Sequence, residues 1–206
     1  MINMNEERYC PRVEMEGGAG AMRPFFFILR KGFGVRAQNG TSVTDFLRRD
    51  MGISEEILEQ RIQTLFLNGK ALDDPALSLL YDGASLALSS AMPGVAGATL
   101  RKGGAYAPMR AAISLDGPGD GDGESGHAPK DGRVRVKLFN MMARELGPFF
   151  WKKGIFISGP DLADALGGAE ADRMEFFLDG EEITVRDLIE KIKNEPRALF
   201  RARISG

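Results

Sequence analysis

"IQTLFLNGKAL", residues 62–72, decides how this chain is read. It is a strand pattern broken by Asn68-Gly69, the dipeptide that turns tight hairpins most readily. The stretch therefore predicts strand, tight turn, strand. A second stretch, "RMEFFLDGEEI" at 173–183, has the same form with Asp-Gly in the turn. Both follow a segment that reads as helix, so the hairpin is repeated in a repeated setting.

Upstream of the first hairpin, "TSVTDFLRRDMG" (41–52) predicts a helix. Thr41 or Ser42 can cap it, Val43, Phe46 and Leu47 share one face, and Gly52 can close it. "ISEEILEQ" reads as a short second helix with Ser54 as its cap. Before these, "PFFFIL" (24–29) predicts the first strand, with "GVRAQNG" as its hairpin partner. Alternation would put Phe25, Phe27 and Leu29 on one face and Phe26 and Ile28 on the other. Downstream, "DGASLALSSA" predicts the last strand, with Leu86 and Leu88 on one side. The order is that of a small α+β unit, one mixed sheet with a helix across one face.

The second half predicts the same succession. "RVRVKLF" (133–139) is a strand with Val134, Val136 and Leu138 alternating. "NMMARELGPFFWKKG" reads as helix or turn, interrupted at Gly147-Pro148. "IFISG" is a strand, "PDLADALGG" a short helix with Pro160 in its first turn, "VRDLIEKIKN" a helix and "ALFRARI" a final strand. Between the halves, "DGPGDGDGESGHAPKDG" (116–132) has almost no apolar side chain to offset its ordering entropy. The expected division is therefore an arm at 1–22, a domain at 23–104, an arm and linker at 105–132, and a degenerate copy at 133–206.

Composition narrows the chemistry. Of 206 residues, 43% are apolar, which supports a buried core. A formal charge of −2 gives no general pull toward nucleic acid or an anionic membrane, and neither is expected as a partner. No apolar run approaches the ~20 residues of a membrane span. With one cysteine, Cys10, no intramolecular disulfide forms, and a reducing cytoplasm is the expected location. Cys10 sits in the expected arm and reads as an incidental thiol.

The single histidine, His127, falls in the Gly-rich linker, where nothing would hold a base within reach of a target. No catalytic residue is assigned and a non-enzymatic role is expected. Asp116, Asp120, Asp122 and Glu124 offer oxygens, but taking Asp116 as position one of a calcium loop puts His127 where the bidentate Glu belongs. Neither metal nor cofactor is assigned. "GPFFWKKG" places Phe149, Phe150 and Trp151 beside two lysines, either as core or as a contact for a partner.

The run 35–94, with Asn68-Gly69, Asp73-Asp74, Asp82-Gly83 and then Leu86–Leu88, resembles the ubiquitin-like β-grasp sulfur carriers. These include the molybdopterin synthase small subunit and the thiamine-pathway sulfur carrier. The resemblance covers 24–104 best and 133–206 weakly. It implies two β-grasp domains in tandem, a protein-binding module or accessory subunit, and an adenylating or molybdenum- or tungsten-cofactor enzyme as partner. It also implies a carrier tail in "ATLRKGG" at 98–104, ending in Gly103 and Gly104, with Met92, Arg101 and Lys102 as neighbouring partner contacts. Here the diglycine is internal, its carboxyl held in a peptide bond to Ala105, so a carrier role requires cleavage after Gly104. The expectation is that the protein works uncleaved.

Overall fold

The computed structural model describes residues 10–90, 114–115, 131–168 and 174–205. Two compact units share the chain, Phe26–Lys153 forming one and Met1–Phe25 with Gly154–Gly206 the other. The expected boundary at 105–132 is therefore not where the contacts divide. Most of that stretch, and all of 91–113, lies outside the described residues.

The chain opens with β1 (Arg12–Gly18) and a 3₁₀ segment (Ala19–Phe25) that leads into α1 (Phe26–Lys31). Two expectations fail here. The arm expected at 1–22 contains β1, which pairs on both of its edges. "PFFFIL" is helical rather than a strand. Its buried residues, with Met22, are Phe25, Ile28 and Leu29, spaced by three and four, while Phe27 is 41% exposed. That is helical periodicity, and it outweighs the β-propensity of three phenylalanines.

In the Phe26–Lys153 unit, α1 is followed by β2 (Phe33–Gln38) and β3 (Thr41–Ser42). The helix α2 (Val43–Asp45) continues through 46–50 with wider i→i+5 bonds, Met51 N–H donating to Phe46 O at 3.0 Å. Ser42 caps it, its Oγ accepting from Asp45 N at 3.0 Å. A second wide turn, α3 (Ile57–Arg61), follows a helical turn at 55–56, ahead of which Ser54 Oγ accepts from Ile57 N at 3.4 Å. Next come β4 (Thr64–Leu67), β5 (Lys70–Leu72), β6 (Leu79–Leu80) and β7 (Ser85–Ser89), then β8 (Ser114–Leu115), β9 (Asp131–Phe139) and α4 (Met142–Lys153). The hairpin read at Asn68-Gly69 is present, with φ of 51° and 81° at its two central residues.

Strand order in this unit is β2-β9-β7-β4-β5-β8. The partner of β2 is β9, antiparallel, and not the segment before it. β9 in turn runs parallel to β7, so 133–139 belongs to the sheet of the first half rather than opening a separate domain. One face carries Phe33, Val35, Leu65, Leu67, Leu86, Leu88, Val134, Val136 and Leu138, all buried. α4 packs against β9 on that face, and the Phe33 and Phe150 rings meet edge-on at 5.2 Å. The interruption expected at Gly147-Pro148 is absent and α4 runs through it. Gly147 brings the helix against α1: a Cβ there would lie 2.8 Å from Leu29 Cδ1.

In the other unit, β10 (Ile155–Ile157), α5 (Gly159–Gly167), β11 (Met174–Leu178), β12 (Glu181–Glu182), α6 (Val185–Ile192) and β13 (Ala198–Ser205) complete the chain. Ser158 and Thr184 cap α5 and α6, accepting from Asp161 N and Asp187 N. The strand order is β12-β11-β1-β13-β10. Val13, Met15, Phe200 and Ala202 are buried in its centre, and Phe25 stacks on Phe200 at 5.1 Å.

The two orders match strand for strand. β5-β4-β7-β9-β2 corresponds to β12-β11-β1-β13-β10, and each successive pair has the same sense: antiparallel, antiparallel, parallel, antiparallel. A capped helix follows β2 in one and β10 in the other. In chain order, the leading strand of each half is built into the sheet completed by the other half.

Candidate functional site

The tail residues Gly103 and Gly104, and their neighbours Met92, Arg101 and Lys102, lie outside the described residues. The strand that leads toward them is β7, described to its end at Ser89. It lies centrally between β4 and β9, so its last residues are held on both edges. Thr64 stands opposite Ser89 on β4, and Phe139 stands opposite it on β9.

Hydrogen bonds fix this strand end. Gln63 N donates to Ser89 O at 3.1 Å. Asn140 Nδ2 donates to Ser89 Oγ at 3.0 Å. Asn140 can do so because it leaves β9 in the left-handed region, φ 53°, which asparagine tolerates. Thr64 Oγ1 and Gln63 Oε1 are buried and have no hydrogen-bond partner among the described residues. A buried polar atom left so costs about 1–3 kcal/mol. The strand end is thus polar, closely held and incompletely satisfied. Flanking Asn140, Phe139 is 39% and Met141 50% exposed, which puts apolar surface beside it.

Arg61 of α3 and Glu145 of α4 form a forked ion pair in the same unit, with Arg61 Nε donating to Glu145 Oε2 at 3.1 Å and Nη2 donating to Oε1. The hydrogen bonds from Arg61 hold the Glu145 carboxyl below its usual range, with partial burial opposing and the Arg61 charge assisting. The same bonds raise the Arg61 guanidinium. The Arg61 side chain is 56% exposed, so the pair orients α3 against α4 more than it stabilises the fold.

Two of the three aromatic candidates are core. Phe150 and Trp151 are 0% and 1% exposed, and Trp151 packs on Phe26 with ring centroids 5.6 Å apart. They face inward because 146, 150 and 151 share the buried stripe of α4. A partner cannot reach them, and Phe149 is half-buried. Cys10 also differs from its reading as part of an arm: it is half-buried and its Sγ lies 3.8 Å from Arg197 O. His127 and the acidic stretch from 116 to 124 lie outside the described residues.

Elsewhere, the Gly154–Gly206 unit has a cleft of about 560 Å³ lined by Gly18, Gly20, Arg23, Pro24 and Met174 among others. Among the described residues no group of three or more His, Cys, Asp or Glu is placed to hold a metal, and no helix is long and apolar enough to cross a membrane. The polar strand end was missed in the sequence because Thr64, Ser89 and Asn140 come from three separate segments. The one local signal was an asparagine directly after an alternating strand. Comparison of the chain with protein-family models, curated proteins and solved structures finds no match.

Proposed function

We propose that this chain is a non-enzymatic, ubiquitin-like binding module or accessory subunit. In this reading both units are β-grasp sheets, and the chemistry resides in a partner enzyme of the adenylating or molybdenum- or tungsten-cofactor kind. One observation carries it: the two units repeat a five-strand mixed order with the same senses, each with a capped helix after the matching strand. A repeated scaffold with outward strand faces is suited to presenting surfaces. Native purification followed by intact mass measurement tests the reading. The expected species has the mass of the whole chain and co-purifies in fixed ratio with one protein.

A second reading is favoured by the position of β7. A carrier needs a tail that leaves a rigid sheet, and residues 91–104 follow directly from the held end at Ser89–Ser90. On that reading Gly104, once freed, would bear an acyl-adenylate and then a thiocarboxylate. A native fragment ending at Gly104, heavier by the exchange of oxygen for sulfur, would put this reading first.

A further inference from the structure

The chain has two Asn-Gly pairs, at 39–40 and 68–69, and both lie in turns of the Phe26–Lys153 unit. An asparagine before glycine is open to a reaction along its own backbone. The following nitrogen attacks the side-chain carbonyl carbon, and glycine has no Cβ to hinder the approach. Three groups take part: the glycine N–H, the asparagine Cγ=O and the asparagine NH₂. The two pairs hold these groups differently. Gly40 N donates to Leu80 O at 2.8 Å, so the nitrogen that would attack is engaged. Asn39 is half-buried and close against Gly132, where an added Cβ would lie 2.6 Å from Asn39 Oδ1.

At 68–69 both residues are exposed, and neither Gly69 N nor Asn68 Nδ2 has a hydrogen-bond partner among the described residues. Asn68 Oδ1 accepts from Ser85 N at 2.9 Å, while Asn68 N donates to Ser85 O at 2.8 Å. The Ser85 N–H thus points at the oxygen on which negative charge gathers when Cγ is attacked, and it favours that step. Little holds the turn shut, because β5 has three residues and meets β4 only at Phe66↔Ala71 and Leu67↔Lys70. The hairpin of the other unit shows which product the fold accepts. There Asp179 N donates to Arg12 O at 2.8 Å, and Arg12 N donates to Asp179 Oδ1 at 3.0 Å. Its turn has φ of 54° and 92°, against 51° and 81° at 68–69. An aspartate therefore makes the same two-bond clamp as the asparagine, through the one side-chain oxygen that the clamp uses.

We propose that Asn68 is a site of hydrolytic self-modification in the folded protein, and that its two products have opposite effects on the β4–β5 hairpin. Gly69 N bonds to Asn68 Cγ and gives its proton to water. The side-chain nitrogen takes a proton from water and leaves as ammonia, which closes a five-membered imide. Water then opens the imide at one of its two carbonyls. Opening at Cγ leaves an ordinary aspartate, and with it the clamp that Asp179 makes. Opening at the backbone carbonyl leaves isoaspartate, with the main chain routed through the side chain. The backbone is then one methylene longer, and the oxygen that met Ser85 N belongs to the new main-chain link. The register of β5 on β4 is lost. The inference stands apart from what the protein binds.

The test is a timed incubation of the folded full-length protein in mildly alkaline buffer, with the same chain unfolded in guanidinium chloride alongside. Peptide mass analysis follows amide loss at both Asn-Gly pairs, and enzymatic methylation marks isoaspartate. In the folded protein, conversion at Asn68 is expected to be at least tenfold faster than at Asn39, and in denaturant the two rates should come together. Equal rates in the folded protein, faster loss at Asn39, or an Asn68 that stays intact while the unfolded chain converts overturns the proposal. A tenfold difference that persists in denaturant overturns it too, by placing the cause in the local sequence rather than in the fold. For the products, Asn68→Asp is expected to melt with the parent. The isoaspartate form, isolated by chromatography, should melt lower and lose amide protection on β4 and β5. An Asn68→Asp variant that melts as low as the isoaspartate form, or an isoaspartate form as stable as the parent, refutes the opposite effects of the two products.

Discussion

Val35 lies directly across an antiparallel ladder from Val134, and both are buried. The pair joins a strand of the first half to the strand that opens the second. Val13 stands across from Phe200 in the other unit, joining the start of the chain to its end. Neither half holds a complete sheet of its own.

A cut between the halves should therefore not release them. A site for a specific protease placed within 121–126, once cleaved, is expected to leave two fragments that elute together at the intact volume and separate only in denaturant. Fragments that part in native buffer would refute the strand register. By the same argument, residues 26–153 expressed alone should fold, whereas 1–115 and 131–206 alone should not.

Two glycines on helices separate close packing from free surface. A Cβ at Gly159 would lie 1.9 Å from Ile192 O and 2.6 Å from Glu195 O, both backbone atoms that cannot swing aside. Gly159→Ala is expected to cost about 3 kcal/mol or more, at or beyond the usual overpacking range. At Gly167 nothing among the described residues lies within 4 Å of the added carbon, and Gly167→Ala is expected to change stability by less than about 1 kcal/mol. Urea midpoints of the two variants check the contrast.

The Arg61–Glu145 pair predicts a small acid-side effect. The folded Glu145 carboxyl titrates below its unfolded value because Arg61 donates to it. Its contribution is therefore present above the unfolded pKa, near 4.3 for a glutamate, and is lost as pH falls through the lower folded value. Glu145→Gln should unfold slightly more easily than the parent at pH 7, with the gap closing below pH 4. Chemical denaturation at the two pH values measures it. A gap that widens in acid would mean that the shift has another origin.

The hairpins and caps were legible because each is local. Asn68-Gly69 and Asp179-Gly180 take the left-handed angles that such turns need, and Ser42 and Ser54 accept from Asp45 N and Ile57 N as the cap pattern expects, whereas the caps Ser158 and Thr184 went unread. "PFFFIL" was misread through composition. The phenylalanines suggested a strand, yet Met22, Phe25, Ile28 and Leu29 already showed the helical period. The pairing of β1 with β13 and of β2 with β9 was not legible, because partners so far apart leave no mark in either segment. The alternation of Arg133, Arg135 and Lys137 with Val134, Val136 and Leu138 was plain in the sequence.

The end of β7 gives the last prediction, and it has opposite signs at two neighbouring hydroxyls. Thr64 Oγ1 is buried without a partner among the described residues, so no hydrogen bond there offsets its desolvation. Thr64→Val keeps the β-branched shape and removes that atom, and it is expected to be neutral or to stabilise by about 1 kcal/mol. Ser89 Oγ, directly across the ladder, accepts from Asn140 Nδ2. Ser89→Ala takes that acceptor away, leaves Asn140 held at a left-handed φ without its bond, and should cost about 1–2 kcal/mol. The two variants differ from the parent by one hydroxyl each at paired positions, so thermal melts of the pair compare like with like. If Thr64→Val instead destabilises as much as Ser89→Ala, then Thr64 Oγ1 has a partner in solution that bonds the end of β7.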